Sequence, residues 1–299
     1  MAEPILKATS VAVVGLGQMG AGIARSLDRA GILSGACDTN SRAFADLGFS
    51  KNVRDASIEE LCAIADVLLF AVPSTGVIRK CLDGCAGREG QIVIDVTTSN
   101  PAESQALATD LAAQGQHYLD AAMTGGAACA DAGQLTLMVG GPADVLAICR
   151  PVLDAIASDI FHIGPAGAGH AMKLVHNMIL HCNFLANCEG LRMAERAGLD
   201  LEQAVAVLNA GNARSFVSEV RFPRDILSGT MNARSHVSNL EKDLGLAVDY
   251  AAQLEARAPF AALTRAVLAQ AVAAGKADAD FSWLFPAYEE LIDQLEAEA

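Results

Sequence analysis

Val11-Ala12-Val13-Val14-Gly15-Leu16-Gly17-Gln18-Met19-Gly20 decides the fold. Four apolar residues with no polar break read as a strand buried on both faces of a parallel sheet. A Gly-x-Gly-x-x-Gly turn follows at once, and Ala21 to Ala30 has the composition of a helix. In a dinucleotide-binding turn each glycine has a task. Gly15 permits the tight turn, Gly17 lets a pyrophosphate approach the backbone, and Gly20 lets helix and strand pack closely. Leu16, Gln18 and Met19 complete the turn, and N–H groups at the helix start face the phosphate charge. A purely structural glycine-rich turn is the alternative. The strand before it, the helix after it and an acid downstream argue for the nucleotide.

That acid is Asp38, in Gly35-Ala36-Cys37-Asp38-Thr39-Asn40. It falls where the second strand should end, roughly 20 residues beyond the glycines. A carboxylate there accepts hydrogen bonds from both ribose hydroxyls of NAD and repels the extra phosphate of NADP. NAD is therefore the expected cofactor, with NADP second. Arg42 lies close enough in sequence to soften the choice, and a solvated turn aspartate is the plainer reading.

The 299 residues suffice for two domains. Hydrophobic residues make up 52% and aromatic ones only 5%, so the core must be built from Ala, Val, Leu and Ile. A net charge of −14 argues against nucleic acid or an anionic membrane as partner, because phosphate binding needs a basic face. The eight cysteines contain no Cys-x-x-Cys pair and lie mostly among apolar neighbours, as free thiols do in a reducing cytoplasm. No Cys/His cluster has ligand spacing, so no metal is expected. Met1 to Ser10 lacks the apolar stretch of a secretion signal, and no run is long enough to span a membrane.

From Val11 to about Gly164 strands and helices alternate, with Val67–Val72, Gln91–Val96 and Leu135–Gly140 as further strands. Alternation of this kind implies an α/β Rossmann domain with a doubly wound parallel sheet. Past Gly164-Pro165-Ala166-Gly167-Ala168-Gly169 the segments are Ala-rich and helical. The expected division is residues 1–166 as the dinucleotide-binding domain and 167–299 as an all-α domain for substrate and oligomerisation. His170–Arg196 reads as one helix of roughly 40 Å, closed by Gly198. Its apolar surface predicts burial between domains or subunits, hence a homodimer or homotetramer. Against that background Lys173, Asn177 and His181 form a polar stripe at i, i+4, i+8, with His176 beside it. A buried lysine has its pKa lowered toward neutrality, which suits proton transfer. A snorkelling lysine with its amine in water is the alternative.

The motifs together resemble the β-hydroxyacid dehydrogenases, the group of 3-hydroxyisobutyrate, tartronate semialdehyde and L-threonate enzymes. The resemblance runs nearly end to end. Gly15–Gly20 looks like the family's nucleotide turn, and Val72-Pro73-Ser74 like the turn after its fourth strand. Asp95-Val96-Thr97-Thr98-Ser99-Asn100-Pro101 resembles its D-x-S-T-I-x-P segment, and Asp120-Ala121-Ala122-Met123-Thr124-Gly125-Gly126 its substrate-carboxylate loop. Gly167-Ala168-Gly169 leading to Lys173 and Asn177 resembles the catalytic helix. Glu241-Lys242-Asp243-Leu244 and Asp280-Phe281-Ser282 resemble the late signatures.

The resemblance implies NAD-dependent oxidation of a small anionic 3-hydroxy acid, or reduction of its semialdehyde. It makes Lys173 the general base, and gives the substrate carboxylate to Thr124, Gly125 and Gly126. Asn177 would orient the substrate, and His176 would touch a distal substituent or bond another helix. Val72, Pro73 and Thr98 would line the nicotinamide ribose, and Lys242 would approach the cofactor. Thr124 stands where many relatives have Ser. Ala122 stands where Pro is usual, which predicts a looser loop. His176 replaces a second Asn, in the manner of the L-threonate enzymes. A decarboxylating dehydrogenase of the 6-phosphogluconate type is one alternative, but Leu180 occupies the place of its acidic proton donor. A non-enzymatic binding protein on the same fold is another, and the presence of Lys173 argues against it, as it does against an imine reductase.

Overall fold

The computed structural model describes residues 10–297. The Met1–Ser10 segment read for a leader lies, apart from Ser10, outside them. The chain forms two compact units, Met1–Lys173 and Leu174–Ala299.

In the first unit strands and helices alternate in the order β1 (Val11–Val14), α1 (Gln18–Arg29), β2 (Leu33–Cys37), α2 (Ala43–Leu47), β3 (Arg54–Asp55), α3 (Ile58–Ile64), β4 (Val67–Phe70), α4 (Thr75–Leu82), β5 (Ile92–Asp95), α5 (Pro101–Ala112), β6 (His117–Thr124), α6 (Gly126–Ala132), β7 (Leu135–Gly140), α7 (Ala143–Asp154) and β8 (Ala157–Gly164). They build one eight-stranded sheet ordered β3-β2-β1-β4-β5-β6-β7-β8. Strands β1 and β4 are buried at every position, which is why they read as unbroken apolar runs. The helices are delimited by local chemistry. Ser57 and Glu60 cap α3 reciprocally, and Asn100 caps α5 with Pro101 in its first turn.

Two expectations need correcting. The sheet is parallel only from β3 to β6. Strand β7 runs antiparallel to β6, and β8 runs parallel to β7, so the last two strands are reversed. The short connection through α6 cannot carry the chain back across the sheet, as a parallel neighbour would require. The Asp120–Thr124 segment, expected as a loop, lies within β6. Ala122 pairs with Met138 and is wholly buried, so the absent proline leaves a ladder residue and no looser loop.

The second unit is helical. Helix α8 (Ala168–Arg196) enters it from the first unit and is followed by α9 (Leu201–Ala210), a wide π-helical segment over Val217–Leu227, α10 (Val237–Gln253), α11 (Pro259–Ala271) and α12 (Leu284–Ala297). Helix α8 starts two residues earlier than His170. It ends as predicted: the Gly198 N–H bonds Glu195 O and the Leu199 N–H bonds Ala194 O, with Gly198 at φ +77°. Leu174, Phe184, Leu185, Cys188 and Leu191 sit in this unit's core. Met172, Val175 and Ile179 do not: they are exposed, Ile179 at 51%, because the helix packs one stripe on the core and leaves another uncovered within the chain. The described residues form no helix long and apolar enough to cross a membrane.

Candidate active site

Strand order reverses between β1 and β4, the point where open α/β sheets bind ligands beyond the carboxyl ends of their strands. The residues singled out in the sequence collect along this edge. Gly15 follows β1, Asp38 follows β2, Val72 and Pro73 follow β4, Thr98 follows β5, and Thr124 ends β6.

The glycine turn can be tested residue by residue. Gly15 sits at φ +93°, and a Cβ there would press on Ala71 O and Val72 Cγ1. A Cβ on Gly20 would overlap the Gly15 carbonyl. Both glycines are therefore required by the turn itself. Gly17 is different. It is exposed at φ −63°, which any residue adopts, and a Cβ there would meet nothing within 4 Å. Neither strain nor packing asks for glycine at 17, so the open space beside it fits a group the chain does not supply. A pyrophosphate laid against the start of α1 is such a group.

Asp38 is half-buried and oriented. Its carboxylate accepts the Leu16 N–H at 2.6 Å and the Asn40 N–H at 2.7 Å. The first bond ties the end of β2 to the glycine turn. A carboxylate has about four acceptor positions, so acceptor capacity remains for a ribose. Gln18 is exposed, Leu16 is buried, and Met19 packs against the core below. Arg42 is exposed and precedes α2.

At the end of β6, Thr124 is half-buried, while Gly125 (φ +122°) and Gly126 (φ +74°) are exposed at the start of α6. At Gly125 a Cβ would crowd Cys129, so both the backbone conformation and the packing exclude a side chain.

On α8, Lys173 is half-buried, less covered than the sequence suggested, and Asn177 is only 4% exposed one turn further on. Asn177 donates its side-chain N–H to Asp243 Oδ2 at 2.7 Å, and its amide oxygen accepts from His176 Nδ1 at 3.0 Å. Lys242 Nζ lies 3.4 Å from the other oxygen of Asp243. One carboxylate on α10 thus gathers Asn177 and Lys242. The sequence flagged Lys242 but gave Asp243 no role. The only available signal was its place beside Lys242, because its partner is 66 residues away. Elsewhere in the helical unit, Arg214 is exposed and 3.5 Å from Glu219, Phe216 is exposed, and Arg234 sits at φ +60° with its N–H on Asp280. Among the described residues no group of His, Cys, Asp and Glu is placed to hold a metal ion.

Residues 10–164 match the family model of the NAD binding domain of 6-phosphogluconate dehydrogenase. Residues 167–288 match that of the NAD-binding region of NADP-dependent 3-hydroxyisobutyrate dehydrogenase. L-threonate dehydrogenase of Cupriavidus necator is 34% identical over 94% of this chain and 97% of its own. The structure of a 3-hydroxyisobutyrate dehydrogenase of Mycobacterium tuberculosis with L-serine superposes with a TM-score of 0.86 at 30% identity, covering 94% of this chain and 99% of that one. A 3-hydroxyisobutyrate dehydrogenase from Salmonella typhimurium gives a TM-score of 0.82 at 33% identity, covering 93% and 99%. The chain belongs to the family of NAD-binding dehydrogenases that includes the 3-hydroxyisobutyrate, L-threonate and 6-phosphogluconate enzymes.

Proposed function

We propose that the chain oxidises a small 3-hydroxy carboxylate with NAD, and that Lys173 takes the hydroxyl proton. Membership of the family makes it an NAD(P)-dependent dehydrogenase acting on the CH–OH group of a small hydroxy acid. The finer reading rests on one observation above all: Lys173 precedes by one helical turn a buried asparagine whose amide is fixed by Asp243. Asp243 takes one of the two Asn177 amide hydrogens, and the other is left to hold a substrate oxygen. Neutral Lys173 Nζ accepts the hydroxyl proton; in reduction it returns it. Bound nicotinamide supplies the acceptor for the hydride that leaves the same carbon. Thr124 Oγ1 and the N–H groups of Gly125 and Gly126 hold the carboxylate, and His176 contacts a distal substituent. Gly15–Gly20 would cradle the pyrophosphate, Asp38 the adenosine ribose, and Val72, Pro73 and Thr98 the nicotinamide ribose, and Lys242 is the further residue assigned to the cofactor.

Asp38 supports NAD over NADP, although one matching family model is of an NADP-dependent enzyme. The exposed stripe of α8 supports a homo-oligomer. It borders an apolar groove of about 1080 Å³, lined by Val175, Ile179, Tyr250, Leu254 and Phe260 among others. A decarboxylating reaction is disfavoured because Leu180, at the position of the acidic donor, packs against the helical core.

The direct test is a panel assayed with NAD and with NADP: 3-hydroxyisobutyrate, L-threonate, L-serine, and 2-hydroxy acids of the same size. Turnover of 3-hydroxy acids with NAD is expected. Turnover confined to 2-hydroxy acids, or to substrates without a carboxylate, overturns the reading.

A further inference from the structure

The catalytic helix begins on two buried carboxylates that take no part in the chemistry proposed above. Asp95 ends β5 and Asp120 lies in β6. They are register partners on neighbouring parallel strands, so their side chains share a face, and both are fully buried. Side-by-side charges in a dry interior are costly unless donors surround them. The donors are present. Asp95 accepts the Thr75 hydroxyl at 2.8 Å, the Tyr118 hydroxyl at 3.0 Å and the Thr97 N–H at 2.9 Å. Burial, and then the Asp95 charge, push the Tyr118 phenol well above its usual range, so it stays protonated and remains a donor.

Asp120 accepts the Gly167 N–H at 2.7 Å and the His170 N–H at 2.9 Å. Gly167 is the residue before α8 and His170 the third residue within it. These are the two donors that a reciprocal capping pair serves at an ordinary helix start. Gly167 has no side chain to do so, and Asp120, about 50 residues earlier, takes the place of both caps while setting a full negative charge at the positive end of the helix.

His170 joins the two carboxylates. Its backbone is held by Asp120, its buried ring is held at Nδ1 by Ser104 Oγ at 2.6 Å, and Nε2 faces Asp95 Oδ1 at 3.7 Å, beyond hydrogen-bond distance. The glycines nearby serve the same contact. A Cβ on Gly169 would collide with Met138 O and crowd Asp120 O, and a Cβ on Gly140 would collide with the Asp120 carboxylate. The Gly-Ala-Gly entry to α8 is therefore a close-approach device that lets the helix start press onto β6 and β7.

We infer that Asp120, with His170 and Asp95, is a positioning clamp for Lys173: it fixes the rotation and axial setting of the first turns of α8, and so the point in space that the lysine amine occupies. This rests on the reading of Lys173 as the proton acceptor. Lys173 is three residues beyond His170, about 4.5 Å along the axis and on the same helix side. A displacement near 1 Å at a reacting group costs up to about a hundredfold in rate.

Asp120→Asn keeps the volume of the side chain but turns an amide donor toward one of the two N–H groups. Expected are a kcat at least tenfold lower, a KM for NAD within twofold of wild type, and a changed rate of Lys173 acylation, read by peptide mass spectrometry on the free protein. Leu61→Ala, a core truncation on α3, is the control for lost stability: its kcat and Lys173 labelling should stay within twofold of wild type. Ser104→Ala removes the ring's partner together with the Ser104 bond to Asn100 O, and should lower kcat about three- to tenfold; with Leu61→Ala as the stability control it decides the matter if Asp120→Asn does not fold. Unchanged kcat and labelling in the folded variants overturn the clamp, and so does an equal effect in Leu61→Ala. Full activity in Lys173→Ala would remove the lysine assignment instead, and the labelling result would still report whether the helix start had moved.

Discussion

Asn177 on α8 and Asp243 on α10 are joined by a 2.7 Å hydrogen bond, and the acceptor is a carboxylate only 15% exposed. A bond to a charged acceptor is worth about 1.5–3 kcal/mol. Asp243→Ala should therefore lower kcat/KM for the hydroxy acid about 10–100-fold by releasing the Asn177 amide. Steady-state kinetics with a good substrate checks this, and a loss below twofold would leave Asp243 with no part in holding Asn177.

Lys173→Ala should lower kcat by roughly 10²–10⁴-fold, the range for losing a general base. Affinity for NAD, measured by fluorescence titration, should change little. A variant that keeps more than about a tenth of the activity would pass the proton to another group, with His176 first in line.

Cofactor choice is read at Asp38. The ratio of kcat/KM for NAD over NADP should be about ten or more, near 1.4 kcal/mol. Asp38→Ser should narrow that ratio. It should also weaken NAD itself, because the carboxylate braces the Leu16 N–H at 2.6 Å. Equal efficiency of the two cofactors in the wild-type enzyme would sink the assignment.

Substrate anchoring is tested at Thr124. Thr124→Val preserves the branch and removes the hydroxyl, and should raise KM for the acid clearly while leaving NAD affinity alone. Thr124→Ser should retain activity and accept a wider range of acids. An unchanged KM in the valine variant, with the amide of the substrate turned over as well as the acid, would place the carboxylate elsewhere.

Asp280 gives the pH dependence of the helical unit. Burial alone would raise its pKa, but the Ser282 hydroxyl and the N–H groups of Ser282, Ala233 and Arg234 outweigh it and hold the carboxyl below its ordinary value. The native pKa is the lower one, so the group stabilises the fold above the unfolded value of about 3.9. That stability is lost as the pH falls through the native value. Thermal melts of wild type and Asp280→Asn should differ at pH 6 and converge as the pH falls through the native value.

The sequence disclosed what local pattern can carry. The run Val11–Val14 is buried on both faces, Gly15 needs its positive φ and Gly20 its close packing, and α8 closes at Gly198 with the two bonds this position implies. The reversal of β7 and β8 was not legible, because an apolar hexapeptide reads the same in either direction and its neighbour is set by the length of the connection. Neither were Asp243, Asp120 and His170. Their bonds span 66 and 50 residues, and periodicity records the exposed or buried face of an element, never its distant polar partner. The stripe on α8 expected to lie between domains or subunits is exposed in the single chain: Val175 and Ile179 have the composition of a core, and a sequence does not say whether such residues are covered by their own chain or by another.

The nucleotide turn divides its labour among its glycines, and the division has an evolutionary consequence. Gly15 and Gly20 are hostages of the backbone, and their loss is a folding defect. At Gly17 a Cβ would meet nothing in the chain, so on the proposed placement of the pyrophosphate a methyl group there would obstruct the dinucleotide at little cost to the fold. A descendant of this chain that kept 15 and 20 and changed 17 would persist as a sound but cofactor-blind protein, free to be selected for contacts with other molecules.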